Sequence, residues 1–196
     1  MHKKIRLPWL VLFAALLTVL PAVHALAADA GFSVIPQMPE NQAPTTKGYY
    51  DILVQPGQEQ TLTATVSNKL DEEIVVTVEA VTASTNRNGI VDYTTSEGAT
   101  LDESMAYAFA DLVRIPEKTI SIPPGSGKTI AFTVTMPDQP FDGIILGALH
   151  VKKELSEKER AEAGTIINQY SYAIGVRIAM SSDEPLSWSG KQVQRI

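Results

Sequence analysis

The most constraining feature of this chain is a two-residue alternation of apolar and polar side chains that recurs along most of its length. Successive side chains of a β-strand point to opposite faces, so this period predicts strands with one buried face. The clearest segments, with the side chains expected to face inward, are 61–68 with Leu62, Ala64 and Val66; 74–81 with Ile74, Val76, Val78 and Ala80; 129–136 with Ile130, Phe132, Val134 and Met136; and 170–180 with Tyr170, Tyr172, Ile174, Val176 and Ile178.

Further segments complete the predicted set of strands. Residues 143–151 are largely apolar, as a strand buried on both faces would be. Asn88-Gly89 predicts a two-residue hairpin turn between a strand ending near Thr85 and a short one over 90–93, because both turn positions tolerate positive φ. Shorter strands are predicted over 31–35, 49–54, 112–115 and 119–122, and Pro36, Pro39 and Pro44 are expected to prevent regular pairing between the first two.

A Pro-Gly pair precedes two of these strands at matching positions. Pro56-Gly57 and Pro124-Gly125 are each followed by threonines facing outward and aliphatic residues facing inward, at a constant offset of 68. Such a pair fits the second and fifth strands of an immunoglobulin-like fold, which are neighbours in one sheet. We therefore predict an all-β, immunoglobulin-like antiparallel β-sandwich, with one short charged helix in a late hairpin connection.

That helix is predicted over residues 152–164. Ser156 and Glu159 have the spacing of a capping box, charged residues follow, and Gly164 is a suitable stop. A solvated cover at the end of the sandwich and a partner-docking element both fit this segment. One or two helical turns are also expected within residues 102–110.

The N-terminus has the pattern of a signal peptide. Lys3, Lys4 and Arg6 precede an apolar run over 7–20, and small residues follow up to Ala27. The run of 14 residues is shorter than the roughly 20 that a membrane-spanning helix needs, which argues against an uncleaved anchor. The predicted domains are a signal peptide over 1–27 cleaved near Ala27, a sandwich over 28–180, and a linker or the start of an absent second domain over 181–196.

Charge and cysteine usage narrow the class of protein. The formal net charge is −6, and removal of three leader cations would lower it to −9, which disfavours nucleic acid and anionic lipid as partners. The chain has no cysteine, so disulfides, thiolate metal sites and a cysteine nucleophile are excluded. Absence of disulfides in an exported protein favours a bacterial surface over an animal extracellular space.

The residues do not suggest an enzyme. His150 is the one histidine outside the predicted leader, and no serine lies in a nucleophile-elbow motif. The acidic runs 71–73 and 102–103 are expected in turns or loops, where neighbouring carboxylates are usually solvated. No metal-ligand spacing or phosphate loop is present, so we predict no catalytic residues, no metal and no cofactor.

Aromatic residues beside irregular segments are the candidate binding residues. Tyr49, Tyr50 and Tyr93 offer rings of the kind that stack on sugars, and Asn41, Gln42 and Asp51 offer hydrogen-bonding groups for hydroxyls. Because Tyr49 and Tyr50 are adjacent on a predicted strand, one of the two is expected to face the core.

Several motifs in order resemble one family, the peptidoglycan-binding domain of WxL-interacting proteins. They run through most of residues 31–180: Gly31 to Pro36 with Pro39, Asn41 and Gln42; Gly48 to Asp51; Pro56-Gly57-Gln58 with Val66 and Asn68; Ala83 to Ile90 with Tyr93; and Phe141-Asp142-Gly143.

The resemblance implies a surface protein of Gram-positive bacteria with peptidoglycan and WxL-domain proteins as partners. It also implies a host-binding second domain and a membrane anchor, which this chain does not show. We expect a secreted, non-catalytic binding and scaffold module of the cell wall. The alternative is an interaction module that pairs with a partner strand through an exposed sheet edge at residues 170–180, and an enzyme acting on wall polymers is the third hypothesis.

Overall fold

A computed structural model describes residues 30–44, 48–86, 88–94, 105–162 and 169–180. These residues form eleven strands: β1 Phe32–Gln37, β2 Tyr50–Val54, β3 Glu59–Asn68, β4 Ile74–Thr82, β5 Ser84–Thr85, β6 Val91–Asp92, β7 Val113–Arg114, β8 Thr119–Ile122, β9 Gly127–Thr135, β10 Ile144–Lys153 and β11 Ser171–Met180. Two short helices accompany them, α1 Phe109–Leu112 and α2 Glu157–Glu162. None of the helices in these ranges is long and apolar enough to cross a membrane. The predicted leader and the 181–196 tail lie outside the described residues.

The strands form two sheets packed face to face, as the alternation predicts. Sheet A has the order β1-β3-β9-β7, sheet B has the order β2-β11-β10-β4-β8, and β5 pairs with β6 in a separate small hairpin. Pairing is antiparallel except between β2 and β11, which run parallel. The predicted immunoglobulin-like sandwich is confirmed, and the two strands after the Pro-Gly turns, β3 and β9, are direct neighbours.

The first two strands belong to different sheets. β1 pairs with β3 in sheet A, whereas β2 pairs with β11 in sheet B, so the chain crosses from one sheet to the other between Gln37 and Tyr50. The expectation that Pro36 ends the first strand is wrong, since β1 continues through Pro36 to Gln37. β1 is an edge strand of sheet A and, among the described strands, pairs only with β3. The strand tolerates proline because the missing N–H removes no hydrogen bond to a second neighbouring strand.

The core lies between the sheets and includes most of the side chains predicted to face inward. Tyr170 is an exception, since it lies before β11 and is exposed. The predicted inward residues of β3 and β9 are buried, together with Met136 just after β9. In β4 the alternation changes near its end: Val81 is buried on the opposite face, whereas Ala80 is only partly buried. β10 is the central strand of sheet B, between β11 and β4, and its inward face is buried along its length. The predicted burial on both faces holds only in part, because on the outer face Ala148 is buried whereas His150 is half-buried and Ile144 is exposed.

The late helix is shorter than predicted. Lys152 and Lys153 pair with β4 or β11 as part of β10, so α2 begins only at Glu157. The predicted capping box is confirmed: the Ser156 N–H donates to Glu159 Oε2 at 2.8 Å, and the Glu159 N–H donates to Ser156 Oγ at 3.2 Å. Of the helical turns expected within 102–110, the structure has a helix that begins at Phe109, and residues 102–104 lie outside the described ranges.

One glycine makes room for a large core ring. Phe109 is fully buried, and a Cβ built on Gly147 would lie 2.2 Å from Phe109 Cδ1. Contacts that close are not tolerated in a packed core, so this position of β10 requires glycine for space and not for backbone conformation.

We expect Gly147→Ala to lower the free energy of unfolding by about 1–3 kcal/mol, because the added methyl group must displace the Phe109 ring. Gly175→Ala is the matched control on the neighbouring strand β11, where an added Cβ would meet its nearest neighbour at an ordinary 3.6 Å. It should change stability by no more than about 0.5 kcal/mol. Urea unfolding of both variants provides the measurement, and equal stabilities would contradict this account of Gly147.

Candidate binding site

The alternation of β2 separates its two adjacent tyrosines. Tyr50 points into the core and is fully buried. Its ring packs edge-on against Phe132 of sheet A at 5.7 Å, and its hydroxyl donates to the Thr63 carbonyl oxygen at 2.6 Å. Burial raises the pKa of the Tyr50 phenol well above its ordinary value. The prediction that Tyr50 contacts a ligand is therefore not supported, since its ring has no surface to offer and serves to join the sheets.

Tyr49 precedes β2 and lies on the outer side of sheet B. It is 41% exposed, and it packs beside Gly175 of β11, where a built Cβ would lie 3.6 Å from Tyr49 Cβ. In the same row of the sheet Gly175 pairs with Ala148, which pairs with Val81. Gly175 has no side chain that would compete with Tyr49 for space, whereas Ala148 and Val81 farther along the row are fully buried.

Asp51 faces the same outer side and forms an ion pair. Its Oδ1 accepts a hydrogen bond from Arg177 Nη1 at 2.6 Å, and the two residues are opposite each other in the β2–β11 register. Asp51 is only 7% exposed, so the pair lies in a partly desolvated position where charge-assisted hydrogen bonds are strong. Arg177 is not among the binding residues predicted from the sequence. Its position on the otherwise small outer side of β11 is the signal that would have revealed it.

Asn41 and Gln42 hold the crossover between the sheets. Asn41 Nδ2 donates to the Leu53 carbonyl oxygen at 2.9 Å, and Asn41 exchanges two side-chain hydrogen bonds with Gln60. Gln42 donates to the Tyr49 carbonyl oxygen at 3.1 Å and accepts from the Asp51 N–H at 3.1 Å. Gln42 therefore positions Tyr49 and Asp51, whereas Asn41 ties the crossover to Leu53 and to Gln60 of β3.

The structure thus brings together five of the six predicted residues around β2, and places Tyr93 elsewhere. Tyr93 is half-buried and directly follows β6 of the small hairpin. That hairpin comes after β4 in the chain, and β11 and β10 lie between β4 and β2 in sheet B. The predicted hairpin is present, but its connection is longer than the predicted two-residue turn: Thr85 pairs with Val91, and the Asn86 N–H donates to the Ile90 carbonyl oxygen at 2.9 Å. Gly89 has φ +75°, and Asn86 Oδ1 accepts hydrogen bonds from the N–H groups of Asn88 and Ile90. We call Tyr49, Asp51, Gly175 and Arg177 the Tyr49 surface.

His150 lies on the same outer side of sheet B. It pairs with Glu79 of β4 and Ala173 of β11, and its Nε2 is buried with no hydrogen-bond partner within the described part of the chain. Burial lowers the pKa of His150. The negative charge of Glu79 partly offsets this shift, and the positive charge of Lys152 adds to it. Across the same described ranges, no group of three or more histidine, cysteine or carboxylate side chains is placed to hold a metal ion.

These features define a β-sandwich domain with an aromatic surface on one sheet. The chain matches the family model described as WxL Interacting Protein, peptidoglycan binding domain, over residues 32–153. Because this match covers more than half of the 196 residues, the chain belongs to that family, and the predicted resemblance is confirmed.

Several solved structures are similar to this chain at low sequence identity. A PapD-like domain of human CEP192 matches with a TM-score of 0.47 and 10% identity, covering 94% of this chain and 100% of that one. A family 123 glycoside hydrolase from Clostridium perfringens matches with a TM-score of 0.46 and 8% identity, covering 75% of this chain and 26% of that one. The Salmonella enterica SafA pilin–SafB chaperone complex matches with a TM-score of 0.40 and 14% identity, covering 76% of this chain and 54% of that one. No curated protein sequence matches the chain.

The lowered pKa of His150 predicts a specific pH dependence of stability. The unfolded chain takes up a proton at His150 near pH 6.5, whereas the folded chain resists it, so stability falls as the pH drops below that value. We expect urea unfolding to show a smaller loss of stability between pH 7.5 and 5.5 for His150→Gln than for the parent chain, both begun at residue 28. The other two histidines, His2 and His24, are absent from that form, so equal losses would contradict the assignment.

Proposed function

We propose that this chain is a non-catalytic module of the bacterial cell surface that binds peptidoglycan and takes part in a surface complex with WxL-domain proteins. The observation that carries the proposal is the family match over residues 32–153, which spans β1 to β10. No cofactor is required for this function. Host extracellular proteins would be partners only through a second domain beyond this chain.

The Tyr49 surface is the part of the fold that suits a glycan best. Sugar rings present apolar C–H faces, and an exposed tyrosine ring on a flat support stacks on such faces with little conformational entropy to lose. Tyr49 has this support from Gly175, and Gln42 fixes its backbone. Asn41 and Gln42 then act as positioning residues, and the Asp51–Arg177 pair supplies a polar margin beside the ring.

Export and an acidic surface are consistent with this function. The predicted leader would place the domain outside the membrane, where the wall polymer is the most abundant surface. A predicted mature charge of −9 disfavours nonspecific adsorption to anionic polymers, so binding to the wall would have to rest on specific contacts.

Co-sedimentation with purified sacculi tests the proposal. We expect the mature chain to bind saturably in high salt, and Tyr49→Ala to weaken binding about two- to tenfold through loss of ring stacking. Tyr170→Ala is the matched control, because Tyr170 is similarly exposed at 37% but lies before β11, away from Gly175.

Two results would contradict this reading. Binding that disappears in moderate salt would indicate nonspecific charge attraction and remove peptidoglycan as the direct ligand. Equal weakening by the two tyrosine variants would leave wall binding intact as a property of the domain but would remove the Tyr49 surface as its location.

A second function, strand pairing with a protein partner, is favoured by one feature of sheet B. The sequence predicts an exposed edge over residues 170–180. In the structure β11 is not an edge along its whole length, because β2 pairs with Val176–Met180. Over Ser171–Gly175, however, β11 has β10 on one side and no strand among the described residues on the other. This half of β11 offers unpaired backbone groups to an added strand, and Ser171 and Ala173 are exposed there.

Strand addition predicts that lysines at this edge block partner capture, because charged side chains oppose edge-to-edge pairing. We expect the double variant Ser171→Lys, Ala173→Lys to weaken binding of a purified WxL-domain protein about tenfold or more while sacculus binding persists. Thr63→Lys, at a half-buried threonine of β3 that pairs with β1 on one side and with β9 on the other, is the control. Unchanged capture by the double variant, measured by biolayer interferometry, would rule out this edge.

A further inference from the structure

A cleft at the α2 end of the sandwich lies apart from the Tyr49 surface. It has a volume of about 310 Å³ and runs between the turn that joins β3 to β4 and the segment that leads from β10 into α2. Glu72 and Glu73 lie on one wall, Ser156 and Arg160 lie on the other, and Val75 and Leu155 contribute to the floor. A volume of this size accommodates a ligand of a few residues.

Both walls of the cleft are held by buried polar contacts. On the first wall, the buried Asn68 side chain donates to the Glu72 carbonyl oxygen at 2.7 Å and accepts from the Leu70 N–H at 2.9 Å. At the floor, the Glu154 N–H donates to the Val75 carbonyl oxygen at 2.8 Å. Hydrogen bonds to the backbone therefore hold both segments that form the cleft in place.

A buried lysine anchors the second wall. The Lys153 side chain is only 9% exposed, and its ammonium group is paired with Glu159 of α2. This pairing, together with the Ser156 backbone, lowers the pKa of Glu159. Glu159 also closes the capping box, so one carboxylate fixes the start of α2 and neutralises the one buried cation at the floor.

The remaining charges of the cleft have no partner within the described residues. Lys153 is matched by Glu159, and Glu154 accepts from the Thr77 hydroxyl at 2.6 Å and lies 3.7 Å from Lys152. The side chains of Glu72, Glu73 and Arg160 form no hydrogen bond or ion pair with another described residue. The cleft thus presents two unpaired carboxylates opposite one unpaired guanidinium group, across a partly apolar floor.

We infer that this cleft binds a short peptide that carries both a free amino group and a free carboxylate. The ammonium group fits between Glu72 and Glu73, the carboxylate fits the planar fork of Arg160, and the methylene chain between them lies on Leu155. A bare cation would gain the two carboxylates but would be repelled by Arg160 and would leave the apolar floor empty. The inference rests on the proposed function and names the peptide stems of the wall polymer, with their diamino acid, as a second ligand.

Titration of the Nα-acetylated stem tetrapeptide L-Ala-γ-D-Glu-L-Lys-D-Ala, whose one free amino group is that of the lysine side chain, into the ¹⁵N-labelled mature chain tests the inference. We expect saturable shifts of the Leu155 and Ser156 amides. Acetylation of the lysine ε-amino group, or amidation of the terminal carboxylate, should each weaken binding about threefold or more through loss of one partly exposed ion pair. Absence of saturable shifts at these amides would overturn the inference.

Matched variants locate the two contacts. Arg160→Gln should weaken tetrapeptide binding about threefold or more, whereas Lys158→Gln, two residues earlier on the same helix and outside the cleft lining, should not. Glu73→Gln is compared in the same way with Asp71→Asn, which lies on the same turn outside the lining. All four positions have exposed side chains, so folding should be preserved, and equal weakening by target and control would contradict the assignment.

The inference and the proposed function fail in different ways. If sacculi bind but the tetrapeptide does not, the cleft is not a stem-peptide site and wall binding stands on the Tyr49 surface. If the tetrapeptide binds at the cleft but sacculi do not, the wall polymer is not the ligand of the domain and the cleft remains a peptide site. Tyr49→Ala should leave the tetrapeptide titration unchanged, because the cleft does not include the Tyr49 surface.

Discussion

The burial of Tyr50 is the interaction on which the organisation of β2 depends. Its ring contacts Phe132 of the opposite sheet and its hydroxyl reaches the Thr63 carbonyl, so this residue cannot rotate outward without breaking the core. Because side chains alternate along a strand, an inward Tyr50 obliges Tyr49 and Asp51 to face outward. A core contact therefore decides which side chains sheet B presents to a ligand. Tyr172 makes a parallel contribution at β1, since its ring packs against Phe32 and its hydroxyl donates to the Phe32 carbonyl oxygen.

The exchange of the first two strands between sheets has consequences at both ends of the molecule. It places β1 at an edge of sheet A, where Pro36 is tolerated, and it places β2 beside the second half of β11. The crossover needs polar side chains to satisfy its irregular backbone, and Asn41, Gln42 and Gln60 meet that need. Because β2 is short, it pairs with only the second half of β11. β2 directly follows Tyr49, and it leaves the first half of β11 without a described neighbour on the side away from β10.

The two proposed ligand surfaces use different physical chemistry. The Tyr49 surface offers an aromatic face beside small residues, which suits uncharged sugar rings, whereas the α2 cleft offers opposite charges across an apolar floor, which suits a peptide with two charged ends. Peptidoglycan is a polymer of sugars that carry peptides, so it offers ligands of both kinds. Simultaneous engagement of the two surfaces would convert two weak contacts into one stronger attachment, because the second contact forms at a high effective concentration.

The sequence by itself determined the sandwich, most strand positions, the inward faces of β3 and β9, the Asn88-Gly89 hairpin and the capping box of α2, because these follow from local periodicity and turn chemistry. It also assembled most of the candidate residues around β2, since they are close in sequence. The tertiary structure alone decided that Tyr50 is the inward tyrosine, that Arg177 pairs with Asp51 across 126 positions, and that Gly175 supports Tyr49. It also decided that Glu72, Glu73 and Arg160 line one cleft. The reason is that strand order and sheet register bring together residues far apart in the chain, and neither quantity is encoded in the local alternation that identifies a strand.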